Sequence, residues 1–170
     1  MSEYHTSVLL DESVSALVGS PDGVYADATF GGGGHTAAIL SRLSNSGRVL
    51  AFDRDMDAIG NRIEDSRLTL IRSDFRWIHN HVLHQGHKNG IDGVLADLGV
   101  SSHQFDTAER GFSFRYEAPL DMRMNQEAER TAADIINSYE PEELEKILRL
   151  YGEVDNSRRL AQMICKARET

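Results

Sequence analysis

Four short apolar runs rich in β-branched residues, separated by segments with helical spacing, constrain the fold of this chain. The runs predict strands, because parallel strands buried on both faces read as nearly continuous hydrophobic sequence, as GVLAD does at residues 93–97. Alternation of strand and helix indicates an α/β fold built on a parallel sheet. The predicted strands are residues 24–29, 48–53, 68–73 and 91–97.

Helices are predicted before, between and after these strands. The first, residues 10–18, has Asp11 or Ser7 as its expected cap and ends near Gly19. Residues 98–127 lack periodicity yet contain several aromatic residues, which predicts a long functional loop. Pro141 is expected at a helix start. The remaining predicted helices are residues 36–43, 56–64, 75–83, 132–139, 142–151 and 156–168.

Composition narrows the classes of function. With 170 residues and 40% hydrophobic content, the chain is long enough for one well-formed core. The net charge of −9 argues against broad electrostatic binding to nucleic acid, so any such partner must be held locally. Cys165 is the single cysteine, which excludes an intramolecular disulfide and fits a reducing compartment. Without a long apolar segment, the chain is expected to be soluble and cytoplasmic.

The stretch TFGGGGHT at residues 29–36 joins the first predicted strand to a helix. A glycine-rich turn at this position lets a ligand approach the backbone, and residues 32–37 fit the dinucleotide pattern G-x-G-x-x-A. Asp53 follows at the end of the next strand, where a ribose acceptor belongs. The alternative is a tight turn that needs left-handed glycines. A phosphate-binding P-loop is excluded, since no Gly-Lys-Ser/Thr follows.

Two further strand ends distinguish between the nucleotide ligands. Phe75 follows the third strand and Asp97 ends the fourth, with Ser101 and Ser102 behind it. Ligands of such sheets bind outside the carboxyl ends of the strands. This arrangement suits S-adenosylmethionine, with ribose at the second end, adenine at the third and chemistry at the fourth. An NAD enzyme would need a proton donor and an amide pocket that the sequence does not reveal.

The motifs TFGGGGHT, AFDRD, DGVLADLGVSSHQFD, AERGFSF and PLDMRM, in this order and spacing, resemble the bacterial ribosomal RNA small subunit methyltransferase H family. The resemblance implies a class I methyltransferase fold with S-adenosyl-L-methionine as cofactor. It also implies methylation of the exocyclic amino group of a cytosine in the decoding region of 16S rRNA, within the small ribosomal subunit. The implied cofactor contacts are Gly33, Gly34, His35, Asp53, Phe75, Asp97 and Gln104.

Relative to that family, the chain looks like the N-terminal portion, because the remaining strands and a later motif are absent. Residues 1–102 are expected to form part of the cofactor-binding domain, and residues 103–170 the start of an inserted, mostly helical, substrate-recognition domain. A four-stranded sheet of this kind leaves one edge of its fourth strand uncovered, which predicts self-association. Asp97-Leu98-Gly99-Val100 replaces the D/N-P-P-Y/F/W motif of many amino-methyltransferases.

The predicted chemistry needs hydrogen-bond acceptors around the target amino group, because its lone pair is delocalised into the ring. Asp97, Ser101 and Ser102 are the candidate catalytic residues. Phe112 and Phe114 are candidates to stack on the target base, or else they anchor the loop.

The arginines of the same loop also have two interpretations. Arg110, Arg115 and Arg123 either meet RNA phosphate or pair with Glu109, Glu117 and Asp121. Arg110 and Arg123 are kept with the two phenylalanines as substrate candidates.

Three alternatives remain open at this point. The chain could be a non-catalytic assembly or scaffold protein that uses only residues 130–170, or an NAD-binding protein. His35 could contact the cofactor through its backbone or its ring. The cluster His79, His81, His84 and His87 is better explained as a solvated helix face than as a metal site, because no carboxylate or thiolate completes a ligand set.

Overall fold

A computed structural model describes residues 7–168. The chain divides into two compact units, of which the first contains residues 7–102 and 124–126 and the second residues 103–123 and 127–168. The roles assigned above to residues 1–102 and 103–170 stay predictions.

The first unit is built on a four-stranded parallel sheet with strand order β3-β2-β1-β4. Ala26 in β1 pairs with Leu50 in β2 on one side and with Val94 in β4 on the other. The predicted parallel α/β sheet is therefore confirmed, although β1 and β4 each end two residues earlier than expected. The strands are β1 (Val24–Asp27), β2 (Arg48–Asp53), β3 (Leu68–Arg72) and β4 (Gly93–Leu95).

Helices cover both faces of this sheet because alternate strand residues point in opposite directions. On one face, Tyr25 and Val49 pack with Val14 and Ile39, and on the other, Ala26, Leu50 and Phe52 pack with Val82. The helices are α1 (Leu10–Leu17), α2 (Gly34–Arg42), α3 (Met56–Ile59) and α4 (Ile78–His84), the last preceded by a 3-10 turn at Phe75–Trp77.

Two local expectations for these helices are wrong. The cap of α1 is Leu9, in a left-handed conformation with φ 49°, and not Asp11 or Ser7. Helix α3 stops after Ile59 instead of reaching residue 64, because the following residues make contacts elsewhere in the unit. Asn61 donates a side-chain N–H to the carbonyl of Gly31, and Ile63 packs against the core on the Tyr25 face of the sheet.

Strand β4 is more exposed to solvent than the apolar run GVLAD predicts. Among residues 7–168 it pairs with β1 alone, and Val94 is 50% exposed whereas Leu95 is buried. The expectation that this run is buried on both faces is wrong for Val94, because one flank of β4 has no neighbour in the described part of the chain. The predicted uncovered edge is thus present; self-association through it stays a prediction.

The second unit is mostly helical. Residues 98–127, expected to be an irregular loop, contain a short helix and a 3-10 turn at Ala108–Arg110. Leu144 and Ala161 are buried where α7 packs on α8, and Pro141 begins α7 as predicted. The helices are α5 (Ser102–Asp106), α6 (Ala132–Ser138), α7 (Pro141–Leu150) and α8 (Ser157–Ala167).

None of the helices in the described part of the chain is long and apolar enough to cross a membrane.

Candidate functional site

The glycine turn after β1 is held in its conformation by the chain itself. Gly31 and Gly33 have φ of 51° and 81°, in the left-handed region that favours glycine. A Cβ on Gly33 would also lie 3.0 Å from the ring of Phe30, and one on Gly34 would collide with the hydroxyl of Ser7. Turn geometry and close packing therefore account for three of the four glycines. This supports the tight-turn interpretation and does not exclude a ligand.

Asp53, at the end of β2, fixes this turn from the neighbouring strand. One carboxylate oxygen accepts a hydrogen bond from the N–H of Gly31 at 2.9 Å, and the other accepts one from Asp55 N–H at 2.9 Å. Each oxygen of a carboxylate has two lone pairs, so both keep capacity to accept a further donor. The residue predicted to hold ribose is thus oriented beside the glycine turn.

Asp27, which ends β1, is a residue of this site that the sequence analysis missed. Its fully buried carboxylate accepts hydrogen bonds from the Thr36 hydroxyl at 2.6 Å and the Thr29 N–H at 3.0 Å. Burial raises the pKa of Asp27 above its usual value, although the hydrogen bonds from Thr36 and Thr29 oppose that shift. The available signal was an aspartate inside an apolar strand, because such a group needs donors of its own.

The end of β4 approaches the same turn through Thr29. The N–H of Asp97 donates to the Thr29 hydroxyl oxygen at 2.8 Å, and Ala28 N–H donates to the carbonyl of Leu95 at 2.8 Å. The main chain of Asp97 is therefore held to Thr29 by one hydrogen bond, whereas its side chain is exposed. Ser101 is half-buried and Ser102 is exposed.

The end of β3 carries a carboxylate surrounded by cations. Asp74 accepts hydrogen bonds from the guanidinium groups of Arg76 at 3.0 Å and Arg54 at 3.3 Å. The hydrogen bond from Arg76 lowers the pKa of Asp74 below its usual value. Phe75 follows at the start of the 3-10 turn and is 43% exposed, so its ring offers an apolar surface at this strand end.

His35 lies in the first turn of α2 and is buried. Its Nε2 is 3.2 Å from the carbonyl oxygen of Val8, so the ring holds the segment that precedes α1 against the start of α2. The absence of a Cβ at Gly34 makes room for Ser7 in the same segment. The imidazole thus has a structural partner, and its predicted contact with a cofactor stays a prediction.

The histidine cluster has ordinary surroundings. The ring of His81 lies 5.6 Å from that of Phe52, and His79 and His84 are exposed. Within residues 7–168, no group of three His, Cys, Asp or Glu side chains is placed to hold a metal ion.

The remaining predicted residues belong to the second unit, where Gln104 and Arg110 are buried. Arg110 donates to the carbonyl of Arg123 at 2.9 Å, and its guanidinium lies 5.9 Å from the centre of the Phe112 ring. Phe112 is half-buried against this contact, whereas Phe114 is 100% exposed. The two phenylalanines therefore differ, and only Phe114 presents an open ring.

Two ion pairs in residues 98–127 follow the pairing interpretation, one of them with a different partner. Arg123 binds Asp121 at 2.7 Å, as expected for interleaved charges. Arg115 binds Asp106 at 2.9 Å, a residue that the sequence analysis did not consider for it. The hydrogen bond from Arg123 lowers the pKa of Asp121 below its usual value.

Comparison with known proteins identifies the family. The sequence profile of the MraW methylase family matches residues 2–170. Proteins named "Ribosomal RNA small subunit methyltransferase H" from Bacteroides fragilis and Phocaeicola vulgatus are 57% and 55% identical, each over 97% of this chain and 54% of the relative. The protein of that name from Christiangramia forsetii is 51% identical over 99% of this chain and 56% of the relative.

The chain thus spans about half the length of the curated relatives it matches. The match covers the glycine turn and all four strand ends described above. The resemblance seen in the sequence is confirmed, and the chain belongs to the MraW methylase family.

Proposed function

We propose that this chain carries the S-adenosylmethionine-binding part of a methyltransferase that modifies the exocyclic amino group of a cytosine in the decoding region of 16S rRNA. The observation that carries the proposal is the carboxyl edge around β1. Asp53 binds the glycine turn from β2, and the Asp97 backbone is bound to Thr29 from β4. The similar proteins named as ribosomal RNA methyltransferases support the reaction class.

The acceptor and aromatic groups at this edge fit such a cofactor. Asp53 has acceptor capacity for the two ribose hydroxyls, and the exposed ring of Phe75 suits the face of an adenine. Gly33 and Gly34 stand at the start of α2, where Phe30 and Ser7 leave no room for a side chain, and their contacts with the cofactor are proposed from the family resemblance. When bound, S-adenosylmethionine supplies a methyl group on a positively charged sulfonium. The cofactor contacts of His35, Asp97 and Gln104 are proposed from the family resemblance.

The part of this chain in the chemistry is to position and polarise the target amino group. Its lone pair is delocalised into the cytosine ring, so it becomes nucleophilic only when held in line and hydrogen-bonded to acceptors. The Asp97 carboxylate is exposed while its main-chain N–H is bonded to Thr29, which suits an acceptor that reaches a bound substrate. Ser101 and Ser102 follow in the chain and are proposed as further acceptors.

Recognition of the base is assigned to the loop of the second unit. The fully exposed ring of Phe114 suits stacking on an unstacked base, as reaching a base within folded RNA requires. Phe112, Arg110 and Arg123 instead contact one another or Asp121, so they support this loop. A phosphate contact by Arg123 would have to replace its ion pair. The small ribosomal subunit in the cytoplasm is the proposed place of action.

Titration calorimetry with S-adenosylmethionine tests the cofactor assignment. We expect micromolar binding by the chain and at least a tenfold loss in Asp53→Ala, equal to about 1.4 kcal/mol. Glu64→Gln is the matched control, because it removes an exposed carboxylate whose ion-pair partner is Arg62 at the surface. Absence of binding, together with binding of NADH in a parallel titration, would favour the NAD-binding alternative. Absence of both would favour the scaffold alternative.

Methyl transfer tests the substrate. Small ribosomal subunits that lack the modification are incubated with labelled S-adenosylmethionine and a full-length relative into which residues 1–170 of this chain are grafted. We expect label on one cytosine of the decoding region and its loss in Asp97→Ala. Label on another nucleotide would overturn the substrate assignment while leaving the cofactor assignment in place.

A further inference from the structure

Three arginines on α7 and α8 stand out because they lack partners. Arg149 lies in the last turn of α7, and Arg158 and Arg159 lie in the first turn of α8. All three are exposed, and together they line a groove of about 440 Å³ that we call the arginine groove. Within residues 7–168, none of the three makes an ion pair or a side-chain hydrogen bond.

Other arginines of the chain are engaged. Arg67 and Arg123 each bind an aspartate at 2.7 Å, and Arg76 binds one at 3.0 Å. Arg168 donates to two main-chain carbonyls at 2.8 Å. In a chain with net charge −9, carboxylates are plentiful, so three unpaired arginines in one groove are not explained by a shortage of acids.

The positions of Arg158 and Arg159 cost stability in the isolated helix. The N-terminal end of a helix carries partial positive charge, so cations in the first turn are unfavourable. The first turn of α8 contains no acidic residue that would offset this effect, and Asn156 provides no side-chain cap. A negatively charged occupant would reverse the sign of this contribution.

The groove also contains acidic residues, which limits what it can bind. Glu145 and Asp155 line it with Gln162, so the charged lining residues sum to +1. Such a lining is too weakly positive to hold anions in general. It suits a ligand whose negative groups reach the guanidinium groups individually, and the planar fork of arginine matches phosphate oxygens in pairs.

We propose that the arginine groove binds the phosphate backbone of the RNA substrate. This inference rests on the proposed function, since RNA is the polyanion that the proposed enzyme must hold. The groove uses residues other than those assigned to cofactor, catalysis or base stacking. Its three guanidinium groups offer separate contacts to phosphates, so that an acidic chain can hold RNA locally.

The test compares two triple variants with equal change in net charge. Arg149→Gln, Arg158→Gln and Arg159→Gln remove the groove cations. Lys88→Gln, Lys146→Gln and Lys166→Gln remove three exposed cations that do not line the groove. Binding of a fluorescein-labelled single-stranded oligoribonucleotide is measured by anisotropy over a salt series, and circular dichroism checks that each variant is folded.

We expect the arginine variant to lose at least tenfold in affinity at low salt. The slope of log K against log salt should fall in magnitude by about 2, as expected for three phosphates on a single strand. The lysine variant should change affinity less than threefold. Lysines at the three arginine positions should keep most of the salt dependence, because they keep the charge.

Several outcomes would overturn the proposal. They are equal losses in the two glutamine variants, an unchanged arginine variant, or absence of RNA binding by the chain itself. Arginine-dependent binding of polyglutamate in place of RNA would assign the groove to an acidic protein partner instead. S-adenosylmethionine calorimetry on the same variants separates the two proposals, because a failed groove with intact cofactor binding leaves the proposed function standing.

Discussion

Strands β2 and β4 both flank β1, yet they differ in burial and in the ties at their carboxyl ends. In β2, residues 49–52 are all buried, and Asp53 binds the glycine turn. In β4, Val94 is half exposed, and residues 96–99 are exposed. The contact of Asp97 with the turn is one backbone hydrogen bond to the Thr29 hydroxyl.

This difference separates the two proposed tasks of the carboxyl edge. The end of β2, which is proposed to hold ribose, already has its conformation without a ligand. The buried strand and the hydrogen bonds that Asp53 accepts hold it in place. The side proposed for chemistry is tied lightly and borders an edge that has no partner among residues 7–168. We therefore expect cofactor binding to depend less on additional protein segments than catalysis does.

The largest expected effect contrasts the cores of the two strands. Phe52→Ala should lower the free energy of unfolding by about 3–5 kcal/mol, because a fully buried ring is removed. Val94→Ala should cost about 1 kcal/mol or less, because half of that side chain is already in water. Urea unfolding followed by circular dichroism measures both, and equal costs would contradict the distinction between β2 and β4.

The glycine turn gives the next effect. Gly33→Ala should cost about 1–2 kcal/mol, because the residue is left-handed and its Cβ would crowd Phe30. Gly34→Ala should be destabilising with Ser7 present and neutral or stabilising in a Ser7→Ala background, where the colliding hydroxyl is gone. A double-mutant cycle by urea unfolding measures this coupling; additive effects would show that Ser7 does not lie against α2.

The uncovered flank of β4 predicts association between copies of this chain. Light scattering over a concentration series should show a mass that rises above 19.0 kDa. Val94→Lys should keep the chain monomeric, because a charge on an edge strand disfavours strand pairing. Val8→Lys, at an exposed apolar residue in the segment before α1, is the control and should not change the association. A monodisperse wild-type chain at every concentration would contradict the prediction.

The smallest effect concerns Asp27, at the end of β1, the strand that lies between β2 and β4. Its pKa in the folded protein is raised above 3.8, so the folded state holds this proton more tightly than the unfolded chain does. The resulting stabilisation is complete below 3.8 and is lost as pH rises through the folded-state pKa.

Asp27→Asn removes that titration. The stability of the wild type minus that of the variant should therefore decrease as the pH rises above 3.8, as measured by urea unfolding at each pH. A difference that grows with pH would mean that hydrogen bonds from Thr36 and Thr29 outweigh burial and lower the pKa.

The sheet was predictable because its strands are short and rich in apolar and β-branched residues. That the polar residues at the strand ends lie at one edge of the sheet follows from parallel pairing. Asp53 was found from its position about 20 residues after the glycine run, which is a spacing that the nucleotide-binding pattern specifies. The exposure of Val94 was not predictable from the sequence GVLAD, because a local sequence does not show which other segments pack beside the strand.

Other features depend on contacts between distant segments. The partner of His35 is Val8, 27 residues away, and no local pattern indicates that contact. The capping of α1 by a left-handed Leu9 likewise overrides the preference for Asp or Ser. The unpaired state of Arg158 and Arg159 depends on side-chain positions on two packed helices, whereas the sequence shows only an ordinary basic pair.

The strand order also has a consequence for how the first unit assembles. The tie between Asp53 and the glycine turn closes a loop of 22 residues, whereas the tie between Asp97 and Thr29 closes one of 68. The longer closure costs about 1 kcal/mol more in chain entropy, and only the pairing of the three residues of β4 with β1 offsets that cost. The β1–β2 pair should therefore form first and β4 should join last, so that in native-state hydrogen exchange the Ala28 amide, bonded to Leu95, opens before the amides between β1 and β2.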